Sequence, residues 1–442
     1  MEVFMNNEYN HEFMKFIEAS PSCFHAIDNL IKMVKAKGYK ELKENEKWHL
    51  EKGGKYYVSR NGSSVLAFHV GNDLIDYHFQ IASSHSDSPS FKIKEQAELM
   101  GKGGYLQLNV EGYGGMICST WLDRPLSIAG RVLVKEKEQV QSRLFYVDKD
   151  LLLIPNLPIH MERTLNNGFA YNIQIDMLPL FSAKEESKNA LQAMIADTLH
   201  VKESDIYGKD LFLCNRQKPT IWGYKDEFLS APKLDDLQCA YASFKALSDS
   251  KGAKGIQVAV CFDNEEVGSL TKQGADSTFM EDALKRINYA LGYDEEEYYC
   301  AIAKSFMVSC DNAHALHPNH PEKFDAQNYT LMNKGVVVKH NANQKYTTDA
   351  FSRSIFEAIC EKQSIPLQHY ANRSDMAGGS TLGNLSNAHV SLHCVDVGLA
   401  QLAMHSSYET AGSKDLACLV TALNTLFNTN IKIEGSSTFT VE

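Results

Sequence analysis

The chain has 442 residues, 44% hydrophobic and 22% charged, a globular composition that excludes a disordered or fibrous protein. Its 44 basic against 55 acidic residues give a net charge of −11, which argues against nucleic acid or an anionic membrane as a partner. No apolar run reaches the roughly 18 residues of a membrane span, the N-terminal MEVFMNNEYNHEFMKF lacks the form of a signal peptide, and ten cysteines without a C-x-x-C pair read as reduced, buried thiols. A cytoplasmic location is therefore expected.

Ser20-Pro21-Ser22 opens a helix whose apolar positions, Cys23, Ala26, Ile27, Leu30, Ile31 and Val34, recur at helical spacing until Gly38. Strands are expected at Ser64–Val70 and Tyr77–Ser83. From about Gln96 to 225 the texture becomes β-rich, with extended runs at Tyr105–Glu111, Leu126–Lys135, Leu144–Val147 and Tyr171–Ile175 and one helix at Lys184–Leu199. Strands and helices then alternate. Helices are expected at Asp235–Leu247, Phe279–Leu291, Asp349–Lys362 and Glu409–Asn428. Strands fall at Ile256–Phe262, Ser305–Cys310, Gly335–His340 and His389–Val397. The pattern predicts an α/β fold, a mixed sheet flanked by helices formed by 1–95 and 226–442, interrupted by a β-rich insert at 96–225.

Functional groups of α/β folds gather past the carboxyl ends of strands, and here those positions carry acids and histidines. In SSHSDSP, His85 is followed two residues on by Asp87, a ligand type with a carboxylate to orient it, although a polar turn explains the same residues. Asp235 and Asp236 open a helix, where capping is the ordinary explanation and a bridging carboxylate the functional one. The apolar strand before CFDNEEVGS delivers Glu265 and Glu266 side by side; both an exposed acidic loop and a metal ligand beside a general base fit them. Asp311 follows another strand, with His314, His317 and His320 expected to be structural. His405 alone would be an ordinary loop residue. Together, His85, Asp235, Glu266, Asp311 and His405 make a set suited to two zinc ions ~3.5–4 Å apart that share one carboxylate, with Glu265 left as base.

These motifs resemble the aspartyl aminopeptidase family of dinuclear zinc peptidases, in order along nearly the whole chain: SSHSDSP, YGGMICSTWLDRPLSIAGRV, IPNLPIH, KLDD, DNEEVGS, DNAHALHPN, RSDMAGGSTLG and QLAMHS. The resemblance implies a zinc-peptidase catalytic domain with an inserted β-rich dimerisation domain. It implies two zinc ions per subunit, with cobalt or manganese as substitutes: His85 and Asp311 on one, Glu266 and His405 on the other, Asp235 between them. Asp87 would orient His85 and Glu265 would be the acid/base. It further implies cleavage of an N-terminal Asp or Glu from peptides with a free amino group, and a homo-oligomer, a dodecamer built from dimers. His160 would bind substrate in a neighbouring subunit, and Lys339, near Tyr346, would pair with the acidic side chain. Unaided, His160 reads as a loop residue and Lys339 as a solvated edge-strand lysine. The chain departs from the family in Asp236, where Asn is common, and in Gly378–Asn384, which resembles part of the pocket wall. A dinuclear-zinc deacylase or carboxypeptidase, an aminopeptidase of non-acidic specificity, and a self-assembling shell with vestigial catalysis are the alternatives.

Overall fold

The computed structural model describes residues 2–183, 189–252, 254–435 and 437–442. Residues 184–188 of the expected helix Lys184–Leu199 lie outside them; the described part runs over Ala190–Leu199. The largest sheet has nine strands, in the order 40–41, 55–60, 64–70, 256–262, 79–85, 306–310, 393–398, 336–340 and 367–371. Strand 79–85 lies between 256–262 and 306–310 and is parallel to both, and 393–398 continues the parallel run beyond 306–310. His85 is level with Phe262, and Ser83 with Ser309. The chain ends that follow these strands therefore open at one edge of the sheet, the usual place for a site in a parallel sheet.

These central strands are buried on both faces, which is why they read as continuous apolar runs without alternation. One face packs on helices Glu2–Glu18, Cys23–Ala36, Leu234–Ser248, Ala350–Glu361 and Asp415–Asn428, and the other on Phe279–Ala290, Glu295–Ala303 and Leu382–Ser386. Helix Leu234–Ser248 is almost wholly buried, so its opening acids are carried into the interior instead of capping at the surface. No helix among the described residues is long and apolar enough to cross a membrane.

A second, antiparallel sheet of six strands, in the order 139–146, 126–136, 206–215, 90–100, 106–113 and 180–182, has its own core around Phe91, Trp121, Ile128 and Ile195. It begins at Ser90, ahead of the expected change of texture at Gln96. A third sheet orders 220–222, 228–231, 409–412, 400–402 and 313–314, and flanks the open edge of the first.

Several expected elements differ. Tyr171–Ile175 is not a strand: Asn172 accepts a hydrogen bond from the Gln174 N–H and starts a short helix, Ile173–Asp176. Glu409–Gly412 is a strand paired with Phe228–Ala231, and the final helix begins only at Asp415, after Gly412 and Ser413 break the run. The strand expected at Tyr77–Ser83 lies at Phe79–His85, and that at His389–Val397 lies at His393–Gly398. Lys339 is not on an edge: strand 336–340 lies between 393–398 and 367–371.

Candidate metal centre

His85 ends its strand with both ring nitrogens committed. Nδ1 faces the Asp87 carbonyl oxygen at 3.1 Å and the Asp87 Oδ1 at 3.4 Å. That leaves Nε2 directed at Asp235 Oδ1, 3.4 Å away, and Asp311 Oδ1, 4.0 Å away. His405 is arranged the same way from the opposite side. Its Nδ1 faces the Gly115 carbonyl at 2.8 Å, and its Nε2 lies 3.3 Å from Glu266 Oε2 and 3.6 Å from Asp235 Oδ2. Asp235 thus turns one oxygen toward each histidine. A histidine held at one nitrogen presents the other in a fixed direction, as ligating histidines do.

The backbone supports this arrangement at some cost. Lys233, Asn264 and His405 all have positive φ, at 59°, 63° and 67°, a conformation that side chains other than glycine adopt rarely and that clusters at functional sites. Lys233 stands two residues before Asp235, Asn264 directly precedes Glu265, and His405 is itself in the cluster. Asp87 accepts hydrogen bonds from the Glu265 N–H (3.1 Å), the Glu266 N–H (3.2 Å) and the Tyr113 hydroxyl (2.7 Å), so one carboxylate positions His85 and the turn carrying both glutamates. The chain after strand 106–113 of the second sheet passes the site at Gly114, where φ is +75° and an added Cβ would stand 3.1 Å from the Glu266 Cβ. A side chain there would push on Glu266 as well as strain the turn.

The donor set fits divalent cations. Ligand atoms of His85, Asp235, Asp236 and Asp311, of His85, Glu265 and Glu266, and of Asp235, Glu266 and His405 gather in three overlapping groups, each within 4.8 Å. Asp236 Oδ1 and Glu266 Oε1 are buried without a hydrogen-bond partner, and Asp235 Oδ1 has only His85 Nε2 at 3.4 Å. Buried carboxylate oxygens left unpaired are costly, and a cation removes that cost. Burial, joined by repulsion from neighbouring acids, pushes the Glu265 carboxyl up to about 8 and that of Glu266 well above the usual range. Burial raises Asp311 to about 6 despite the nearby Lys339 charge. Burial also opposes ionisation of Asp235, but the hydrogen bond and charge of His85 outweigh it and hold Asp235 below its ordinary value. Acids in this state repel one another until positive charge is supplied.

Lys339 is 3% exposed, its Nζ 3.5 Å from Asp311 Oδ2 and 5.4 Å from the centre of the Tyr346 ring. The solvated lysine expected from the sequence is therefore a buried one beside the cluster. His160 is exposed, with no hydrogen bond or ion pair to the cluster among the described residues. His314 edges against Tyr370, while the His317 and His320 rings meet at a tilt of 38° and belong to none of the three ligand groups. Glu409 was not expected. It is buried, and accepts the His405 N–H at 2.7 Å and the Asp235 N–H at 3.0 Å, which ties two members of the cluster together. Asp236, expected as a helix-opening acid and as a departure from the family pattern, is buried and accepts the His85 N–H at 3.2 Å.

The sequence profile of the Aminopeptidase I zinc metalloproteases (M18) matches residues 16–427. The chain belongs to this family. M18 enzymes are aminopeptidases, hence hydrolases, and zinc metalloproteases, in agreement with the cation-fitting donor set. The chain is 44% identical over 414 residues to a probable M18 family aminopeptidase 2 of Clostridium novyi (strain NT), covering 92% of this chain and 96% of that one. It is 38% identical over 431 residues to a namesake in Stutzerimonas stutzeri (strain A1501), covering 96% and 99%. Among solved structures, a cryo-EM structure of the Ape4 and Nbr1 complex superposes with a TM-score of 0.93 at 33% identity, over 96% of this chain and 86% of that one. The S. cerevesiae mApe1 dodecamer superposes with a TM-score of 0.83 at 27% identity, over 95% and 96%.

Proposed function

We propose that this M18 aminopeptidase uses two zinc ions per subunit to remove an N-terminal Asp or Glu from peptides. The observation that carries the reading is Asp235, with one oxygen toward His85 and the other toward His405. His85 and Asp311 would hold one ion, Glu266 and His405 the other, and Asp235 would bridge. Zinc, when bound, polarises a carbonyl and lowers the pKa of water. Glu265 takes a proton from the attacking water and returns it to the departing amine, a role for which its carboxylate stands beside the ligand groups His85 and Glu266. Asp87 keeps His85 and the Glu265 backbone in register.

Lys339 is the cation for an acidic substrate side chain, with Tyr346 as the wall beneath it. The same buried ammonium suits a substrate α-carboxylate, which is the deacylase or carboxypeptidase reading. Lys339→Ala separates the two. We expect kcat/KM to fall about 100-fold for Asp and Glu substrates, the order of a lost charge-assisted contact, and by less than about threefold for Ala or Leu substrates. An equal fall for all free-amine substrates excludes Lys339 as the specificity group, and cleavage of N-acetylated peptides that depends on Lys339 favours the second reading.

We infer further that the chain assembles as a homo-oligomer, a dodecamer built from dimers through the sheet of the insert. The S. cerevesiae mApe1 dodecamer supports this, as do Leu157, Ile159 and Met161, 47%, 45% and 80% exposed around His160. His160 of a neighbouring copy then reaches the substrate oxyanion. A cytoplasmic location is part of this reading, supported by ten cysteines that form no disulfide.

A further inference from the structure

We propose that a cavity behind the metal cluster is a binding site for a small carboxylate with an apolar, aromatic body, separate from the peptide site. The cavity holds about 420 Å³ between the insert sheet and the large sheet, within the range of small-molecule sites. Of the cluster, Asp235 alone reaches its wall; His85, Glu265, Glu266, Asp311, Lys339 and His405 do not line it.

The charge assignment follows from which groups are already engaged. Asp210 pairs with Lys92 at 3.2 Å and with Arg131 at 2.9 Å. Asp87 accepts from Tyr113 and from the Glu265 and Glu266 N–H groups, and Glu409 from the His405 and Asp235 N–H groups. Asp235 faces the histidines, and Asp263 accepts the Asn264 N–H at 2.8 Å. The Lys233 ammonium, by contrast, makes no hydrogen bond or ion pair among the described residues, and Lys233 lines both this cavity and a smaller one of about 170 Å³ beside it. Lys272, exposed at the rim, adds a second positive charge. A partly buried ammonium without a partner selects an anion.

The apolar half of the assignment comes from the walls. Phe24, Trp121 and Phe212 line the cavity with Tyr113, whose ring meets that of Phe212 edge-on at 5.4 Å. Aromatic walls of this kind take a flat apolar body. Because Asp87 and Glu409 also line the cavity, its occupant touches the groups that brace the cluster from behind.

The probe is 4-phenylbutyrate, titrated into zinc-loaded enzyme whose metal centre is saturated with a hydroxamate, with Trp121 fluorescence as the readout. We expect saturable binding of 4-phenylbutyrate, at least tenfold weaker binding of its neutral amide, and the same loss in Lys233→Met. Soaking crystals of the wild-type enzyme with 4-(4-bromophenyl)butyrate tests the placement without a variant, through a bromine anomalous peak among Phe24, Trp121 and Phe212. Equal binding of acid and amide overturns the anion assignment. No binding by wild type, or bromine only at the metal centre, overturns the site.

Discussion

Glu265→Gln is expected to lower kcat about 10³- to 10⁴-fold, at the upper end of what a positioned proton-transfer group contributes, while zinc content by elemental analysis stays at the wild-type level. The amide keeps the size of the side chain and loses only the ability to take and return a proton. Glu265 lies beside the ligand groups without being needed to complete the bridge: Asp235 links His85 and His405, and the His405 Nε2 already has Glu266 at 3.3 Å. The backbone turn is held by Asp87 through the Glu265 and Glu266 N–H groups, which the substitution does not touch. Turnover within about tenfold of wild type with normal zinc would remove Glu265 from the role of base, and loss of zinc would make it a ligand.

Asp235→Asn is expected to have the larger effect on the metal. The proposed bridge would depend on two equivalent anionic oxygens, one toward each histidine, and an amide offers one neutral oxygen and a donor. Zinc should fall from about two ions per subunit to one or fewer, with activity reduced at least about 10⁴-fold, since loss of the cation pair removes both its uses. Stability separates this from misfolding. Metal-free Asp235→Asn should still unfold in one cooperative transition, losing no more than the His85 contact that holds Asp235 ionised in the metal-free wild type. Added zinc should raise the melting temperature of wild type more than that of the variant, as binding to the native state alone requires. Equal zinc content and activity in the two proteins would mean that Asp235 does not bridge.

Part of this site is legible in the sequence because local order announces it. The strand Ile256–Phe262 reads as a buried run, which points the acids three and four residues past it toward a buried strand end, although an exposed loop fits the same residues until the sheet is known. His85 and Asp311 are readable for the same reason, once strand 79–85 is known to run to His85 itself. Other parts depend on contacts the sequence does not display. Glu409 looks like the start of the final helix, and only its pairing with Ala231 turns it into a strand residue that holds the Asp235 and His405 backbones. The strands of the third sheet are two to four residues long, too short to show a period. Lys339 reads as solvated because lysines usually are; its burial follows from strand 367–371 covering it on the outer side and from Tyr346 folding over it. The insert's reach into the site, through Tyr113, Gly114 and the Gly115 carbonyl, belongs to the same class, since it joins positions far apart in the chain. His160 is exposed on this chain, and the role proposed for it involves a second copy that no single-chain pattern encodes.

The most direct measurement is hydrolysis of a free-amine Asp peptide substrate and its N-acetylated counterpart by metal-free protein, as zinc is added in known ratio to subunits. The account predicts that cleavage of the free-amine substrate appears with zinc and saturates near two ions per subunit, with the acetylated substrate inert throughout. Full activity at one ion per subunit, or equal cleavage of both substrates, would contradict a dinuclear aminopeptidase.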